Sequence, residues 1–286
     1  MIRRLALVGL GLLGGSVAKA ARADGLADEI VAVGRDRARL EPALRDGVVD
    51  HISTRLEEGV AGADFCLLAT PVATLTALLP VVWHALPADA TVTDVGSTKG
   101  LIVETAEDLA RTRPLAFVGS HPMAGSEQSG YRVARPDLFR GATVILTPTE
   151  RTDSHAVKRV GGFWEALGAR LVTLDPQTHD RATAAISHLP HLVADALVDA
   201  VVRMDSRFFD IAGRGFKDTT RIAASDPQMW REIFQDNRAG LAEALTAFRA
   251  ALAELERLID DGDAAAIEGA LDRIRRTREQ IGAQRG

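Results

Sequence analysis

The chain has 286 residues, 47% of them hydrophobic and 26% charged, which suits about two domains with substantial buried cores and excludes a disordered or fibrous protein. A net charge of −5 with no basic stripe gives no footing for nucleic acid, and no stretch reads as an apolar bilayer span or a cleavable leader. One cysteine, Cys66 in the run Phe65-Cys66-Leu67-Leu68, rules out an internal disulfide and fits a buried strand in a reducing, cytoplasmic setting.

Leu5-Ala6-Leu7-Val8 predicts a strand that ends at Gly9. Gly9, Gly11 and Gly14 then form G-x-G-x-x-G, and a helix runs on from about Leu12 through Ala21. In that strand–turn–helix setting the first glycine makes the turn, the second lets a pyrophosphate approach the backbone, and the third lets helix pack on strand. The unpaired N–H groups at the helix start would hold the phosphates. The bland alternative is a glycine-rich turn in an α/β domain without a ligand.

A second strand, 29–33, ends at Gly34-Arg35-Asp36, and Asp36 falls 22 residues after Gly14. An acidic side chain there accepts hydrogen bonds from the adenosine ribose and repels a 2′-phosphate, which favours NAD. Arg35 and Arg37 beside it leave NADP open.

Residues 63–69 predict a third strand, with Thr70 placed to cap a helix whose first turn carries Pro71. Residues 90–93 lead into Asp94-Val95-Gly96-Ser97-Thr98-Lys99-Gly100 and a helix over 101–111. The run 115–118 reads as a strand stopped by Gly119, so that His121 follows on a tight loop stiffened by Pro122. That histidine either presents an imidazole to a ligand or merely caps a carbonyl. Gly9, Asp36, Thr70, Ser97 and His121 would then all lie at carboxyl ends of parallel strands, where open α/β sheets bind ligands. Strands at 142–146 and 170–174 flank a helix at 155–168.

After Asp175-Pro176 the strand signals stop, and helices are predicted over 180–204, 226–259 and 263–281. The expected architecture is a Rossmann-like dinucleotide-binding α/β domain over 1–175 and an all-α domain over 176–286. The long apolar faces of the second domain suggest a homodimer. His188 and His191 share one helix face at i and i+3. No Glu or Cys completes a ligand set near them, so they read as a polar pocket wall and no metal is expected. Gly213 to Arg221 reads as a glycine-rich loop bearing Arg214, Lys217 and Arg221, suited to a carboxylate; the alternative is a solvated charged loop.

These segments together resemble the prephenate/arogenate dehydrogenase family of tyrosine biosynthesis. The resemblance rests on VGLGLLGGS at 8–16, ATPV at 69–72, DVGSTKG at 94–100, SHPMAGSEQSG at 120–130, ISHLPHLVA at 186–194 and GFKDTTRIAASDPQMW at 215–230. It implies oxidative decarboxylation of a cyclohexadienol acid with hydride transfer to NAD, or NADP. It further implies His121 as acceptor of the ring hydroxyl proton and Ser97 as the group that orients it near the nicotinamide. Arg221 would hold the ring carboxylate, with His191 and Trp230 near the substrate side chain, and His188 in the same wall. Gly9, Gly11, Leu12, Gly14, Arg35, Asp36, Thr70, Pro71 and Ser97 would line the cofactor.

Arg214 departs from the run of glycines frequent in the family at 213–215 and would reach either the substrate side chain or solvent. No C-terminal regulatory domain like that of some relatives is expected after Gly286. Prephenate is the expected substrate, with arogenate as the alternative. Outside the family stand other helical-domain oxidoreductases, such as β-hydroxyacid dehydrogenases or pyrroline-carboxylate reductases, and a nucleotide sensor without catalysis.

Overall fold

Alternation of apolar strands and amphipathic helices builds the first half of the chain, described here from a computed structural model covering residues 1–126 and 128–283. Glu127, within the 120–130 motif, lies outside the described residues. In chain order, β1 (Ile2–Val8), α1 (Leu12–Ala23), β2 (Ala27–Val33), α2 (Arg37–Arg45), β3 (His51–Ser53) and α3 (Leu56–Val60) form the first part. Next come β4 (Phe65–Leu68), α4 (Val72–Ala85), β5 (Thr91–Asp94), α5 (Gly100–Thr112) and β6 (Ala116–Pro122). After these follow β7 (Thr143–Thr147), α6 (Ser154–Ala166) and β8 (Arg170–Thr173). Helices then take over: α7 (Pro176–Thr183), α8 (Leu189–Asp205), α9 (Arg214–Thr220), α10 (Pro227–Asp236), α11 (Arg238–Asp261) and α12 (Ala264–Ala283).

The sheet runs β3-β2-β1-β4-β5-β6-β7-β8. Its strand order reverses between β1 and β4, the switch point where doubly wound sheets bind dinucleotides. Strands β4, β5 and β7 are buried almost throughout, as strands covered on both faces must be. Leu5, Leu7, Phe65, Leu67 and α6 form one core; Ala6, Cys66, Leu68, α4 and α5 form the other. Burial pushes the Cys66 thiol up to about 12, so it is inert packing.

Several expectations change. His51-Ile52-Ser53 adds an edge strand too short to show alternation. β7 runs antiparallel to β6 and pairs Gly119–Pro122 with Thr147–Val144, so Gly119 does not end the strand. Partner carbonyls and amides from β7 carry the ladder past the apolar run, and His121 lies within β6 opposite Ile145. Pro71, not Thr70, takes the N-cap position of α4, and the Thr70 hydroxyl is buried without a partner.

In the helical half, Pro190 has no N–H to donate, and the chain accommodates it by a π-helical turn at Ala184–His188 ahead of α8. The expected loop at 213–221 is helix α9 followed by a 3₁₀ turn, Arg221–Ala224. Asn237 divides the expected helix 226–259 into α10 and α11. The helical run Pro176–Ile211, 36 residues, is long and apolar enough to cross a membrane by length and composition, contrary to the sequence expectation. α7, the π turn, α8 and the 3₁₀ turn Ser206–Ile211 join into one run, longer at both ends than the helix expected over 180–204. That run also buries His179, His188 and His191, and it leaves Ile186, Val202 and Met204 exposed.

Candidate active site

At the glycine turn, Gly9 has φ 98°, and a Cβ there would sit 2.6 Å from the Ala69 carbonyl oxygen. A Cβ on Gly14 would meet the Gly9 carbonyl oxygen at 2.1 Å. Both glycines are therefore demanded by the turn itself. Gly11 differs: its φ is −88°, and a Cβ there would project into open space. The fold has no need of glycine at 11, whereas a pyrophosphate close to the backbone does. Gly11 also caps α1 with no side chain bonded to the helix amides, leaving those N–H groups, beginning at Leu12, open to an anion. The residues present fit a dinucleotide.

Asp36 caps α2, accepting from the Ala38 N–H at 2.9 Å, with its other oxygen 3.5 Å from Arg39 Nε. Its carboxylate is thus fixed in place and exposed at the end of β2, next to the equally exposed Arg35.

Around β5 and β6 a buried network sets the positions of Ser97 and His121. Lys99 is fully buried; its ammonium pairs with Asp94 and donates to the Ser120 carbonyl at 3.1 Å. Asp94 also accepts from the Gly96 and Ser120 amides. Burial depresses the Lys99 ammonium, with the Asp94 charge opposing it. Trp164 Nε1 donates to Ser120 Oγ at 3.0 Å, and Ser120 Oγ lies 2.9 Å from Thr93 Oγ1. These bonds clamp β5 to β6 and hold the loop that carries Ser97 against the strand that carries His121.

His121 is 8% exposed. No hydrogen bond joins it to Ser97 among the described residues; its Nδ1 lies 2.9 Å from Nε2 of His179, on α7. His179 Nδ1 in turn lies 2.8 Å from Asp180 Oδ1. Asp180 accepts from the Lys99 and Gly100 amides, both at 2.8 Å, and so caps α5 from the other half of the chain. Burial, then the neighbouring His179, Lys99 and His188, hold His121 well below the usual histidine range. His179 is lowered mainly by burial, against the pull of Asp180.

A second cluster adjoins this one. Asn237 Nδ2 donates to the Asp180 carbonyl at 2.7 Å and lies 3.2 Å from His188 Nδ1. Since Asn237 Nδ2 donates there, His188 in its neutral form carries its proton on Nε2. Among the described residues that Nε2 has no partner, and neither do the buried His191 Nδ1 and Trp230 Nε1. Trp230 stacks on His191, with His188 edge-on at 6.1 Å. Burial brings His188 down to about 4 and lowers His191 as well. Helix α10, which carries Trp230, reaches α4 through Glu232, which accepts from the Ala73 N–H.

Arg221 opens the 3₁₀ turn packed on α8 and is exposed. Arg214 stands apart on the outer face of α9, its side chain 94% exposed and 3.5 Å from Asp218. Among the described residues, no group of three or more His, Cys, Asp or Glu side chains could hold a metal ion. Sequence reading missed His179, Asp180, Asp94 and Asn237. A His-Asp pair in the first turns of a helix gives no spacing signal, and only the packing of α7 on β6 and α5 brings it into play.

The nucleotide-binding domain of prephenate dehydrogenase matches residues 17–173, and its dimerization domain matches residues 175–273. The chain belongs to the prephenate dehydrogenase family. A prephenate dehydrogenase of Bacillus subtilis (strain 168) is 34% identical over 262 residues, 90% of this chain and 70% of that protein. The structure of the Aquifex aeolicus prephenate dehydrogenase in complex with hydroxyphenyl propionate and NAD+ superposes with a TM-score of 0.92 at 36% identity, covering 98% of this chain and 99% of that one. Synechocystis arogenate dehydrogenase superposes at 0.83 with 31% identity, covering 97% and 99%. As a member of this family the chain is an NAD(P)-dependent oxidoreductase, with a Rossmann-like nucleotide-binding domain followed by the helical dimerization domain.

Proposed function

We propose that this chain oxidises and decarboxylates prephenate to 4-hydroxyphenylpyruvate, using NAD, as a cytoplasmic homodimer. Residues 1–175 would bind the nucleotide, and residues 176–286 would complete the substrate site and the dimer. The observation that carries this reading is His121: buried at the carboxyl end of β6, held well below the usual histidine range by burial and its neighbours, with Nδ1 against His179 and Nε2 without a hydrogen bond among the described residues.

A bound nicotinamide would supply the acceptor for the hydride on the ring carbon that bears the hydroxyl. His121 takes the hydroxyl proton at its free nitrogen as that oxygen becomes a carbonyl. The resulting dienone acid loses CO2 and becomes aromatic, which makes the reaction effectively irreversible. Arg221 holds the ring carboxylate as an ion pair until then. Ser97, on the loop clamped by Lys99 and Asp94, would lie beside a bound nicotinamide. His188 and Trp230 offer N–H donors that lack partners, which suit the acceptor oxygens of a keto-acid side chain.

Arogenate is the second reading. Asp195, 3.7 Å from His191 Nε2, supplies a carboxylate for an ammonium, and the Synechocystis relative is named an arogenate dehydrogenase. Rates of NAD(P)H absorbance gain with prephenate or arogenate, each crossed with NAD or NADP, test both. Prephenate with NAD should give the highest kcat/KM, and a higher value with arogenate reverses the choice.

A further inference from the structure

His121 has two ring nitrogens and can accept a proton only at the one that is bare. Which one is bare is decided outside the ring. An ionised carboxylate can only accept hydrogen bonds, and Asp180 is held in that state. Burial raises its carboxyl, but the bonds from His179, Gly100 and Lys99 more than offset this, so it lies below the usual carboxylate range. The proton between Asp180 and His179 therefore sits on His179 Nδ1, across 2.8 Å. A neutral His179 is then bare at Nε2. The hydrogen in the 2.9 Å contact between the two rings consequently belongs to His121 Nδ1.

We propose that His179, locked by Asp180, is a positioning residue that fixes His121 in the Nδ1–H tautomer and leaves Nε2 as the proton-accepting atom. This rests on the reading of His121 as the base. The rings meet edge-on, at 63° and 5.1 Å between centroids, so the contact fixes ring orientation as well as tautomer. Full burial of His179 keeps water from substituting for it. The same contact serves the step itself. Once His121 Nε2 has taken the hydroxyl proton, its Nδ1–H still donates to the His179 lone pair, and Asp180 polarises that ring towards the new charge. No proton leaves the pair, and the electrons released go out as hydride.

The device matters because the remaining surroundings of His121 oppose a positive ring. Lys99 faces it from the β5–α5 loop and His188 from the π turn, while Asp94 in β5 pairs with Lys99 and Asp236 lies near Lys99 and Asp180. Asp180 thereby joins two tasks. It caps α5, whose preceding loop carries Ser97, and it sets the tautomer of His121, so displacement of α7 would disturb both groups at once.

The test is long-range 1H–15N NMR of the full chain labelled with 15N-histidine at neutral pH, with the His121 signals assigned by their loss in His121→Asn. The expected result is a protonated Nδ1 and a bare Nε2 in the parent protein, and a mixture of both tautomers in His179→Leu. Kinetics with prephenate and NAD provide the second arm. His179→Leu should lose on the order of 10²-fold in kcat with little change in KM. His179→Gln, whose amide oxygen can still accept from His121 Nδ1–H, should recover most of that loss. A parent spectrum with Nε2 protonated overturns the proposal, as does a His179→Leu enzyme with parental kcat or a Gln variant no better than Leu. The spectrum is read without turnover. If it is as expected while His121→Asn remains fully active, the identity of the base is wrong and the tautomer assignment stands.

Discussion

His191 and Trp230 stack face to face, with ring centroids 3.5 Å apart and planes 16° from parallel. Each keeps one buried nitrogen without a partner: Nδ1 of His191 and Nε1 of Trp230. A stacked pair with unspent polar edges suits rigid recognition of a substrate, because neither ring can turn without losing the stack. Trp230→Phe keeps an aromatic face and removes only the N–H. It should raise the KM for prephenate about 3- to 10-fold, the worth of one hydrogen bond, and leave kcat within about twofold. Trp230→Leu also frees His191 and should raise KM further. Steady-state kinetics distinguish the two; a Phe variant with parental KM would place the substrate side chain elsewhere.

Replacing Arg221 by Gln should reduce kcat/KM for prephenate about 10- to 100-fold, since a hydrogen bond to a charged group is worth roughly 1.5–3 kcal/mol. NAD affinity, measured by fluorescence titration, should not change. Arg214→Ala serves as the comparison. Its side chain lies in solvent beside Asp218, and its loss should alter kcat/KM by less than about twofold. The opposite pattern would exchange the roles of the two arginines.

His121→Asn should lower kcat by about 10²- to 10⁴-fold while NAD binding survives, because the glycine turn and Asp36 lie on other strands. In the parent enzyme the acid limb of kcat/KM should fall below the ordinary histidine value of 6.5, since burial and then His179, Lys99 and His188 disfavour the charged ring. The limb should vanish from the residual activity of the variant. A persisting limb would transfer the role of base to another group.

Four histidines also govern acid stability. His121, His179, His188 and His191 all have folded-state values below 6.5, that of His188 reaching about 4. Below 6.5 the unfolded chain binds protons that the folded chain refuses, so stability is full above that pH and declines as pH falls towards the folded values. Melting temperature should therefore be flat above about pH 7 and drop steadily from pH 6.5 towards 4.5. His188→Gln should reduce that slope. A melting temperature that rises on acidification would contradict the neutral assignment of these rings.

Cofactor choice can be tested at Asp36, which caps α2 and is proposed to face the ribose. Asp36→Asn keeps a capping oxygen and removes the charge that would repel a 2′-phosphate. The ratio of kcat/KM with NAD to that with NADP should fall several-fold, with little change in melting temperature. An unchanged ratio would assign the discrimination to Arg35 or its neighbours.

Local chemistry made much of this protein legible. The G-x-G-x-x-G turn, the apolar strands, the acidic residue after β2 and the placement of His121 near a strand end all follow from residues within a few positions of one another. Periodicity and turn preference act over that range. Tertiary structure decided what local pattern does not encode. It continued β6 through His121, because β7 arrives antiparallel from more than twenty residues downstream. It buried Lys99 against Asp94, and it placed His179 and Asp180, from a helix that local pattern marks only as amphipathic, against His121 and the start of α5. A lone His-Asp pair in a sequence has no preferred partner. Only when α7 excludes water from the 2.9 Å contact does that pair determine which nitrogen of His121 is bare.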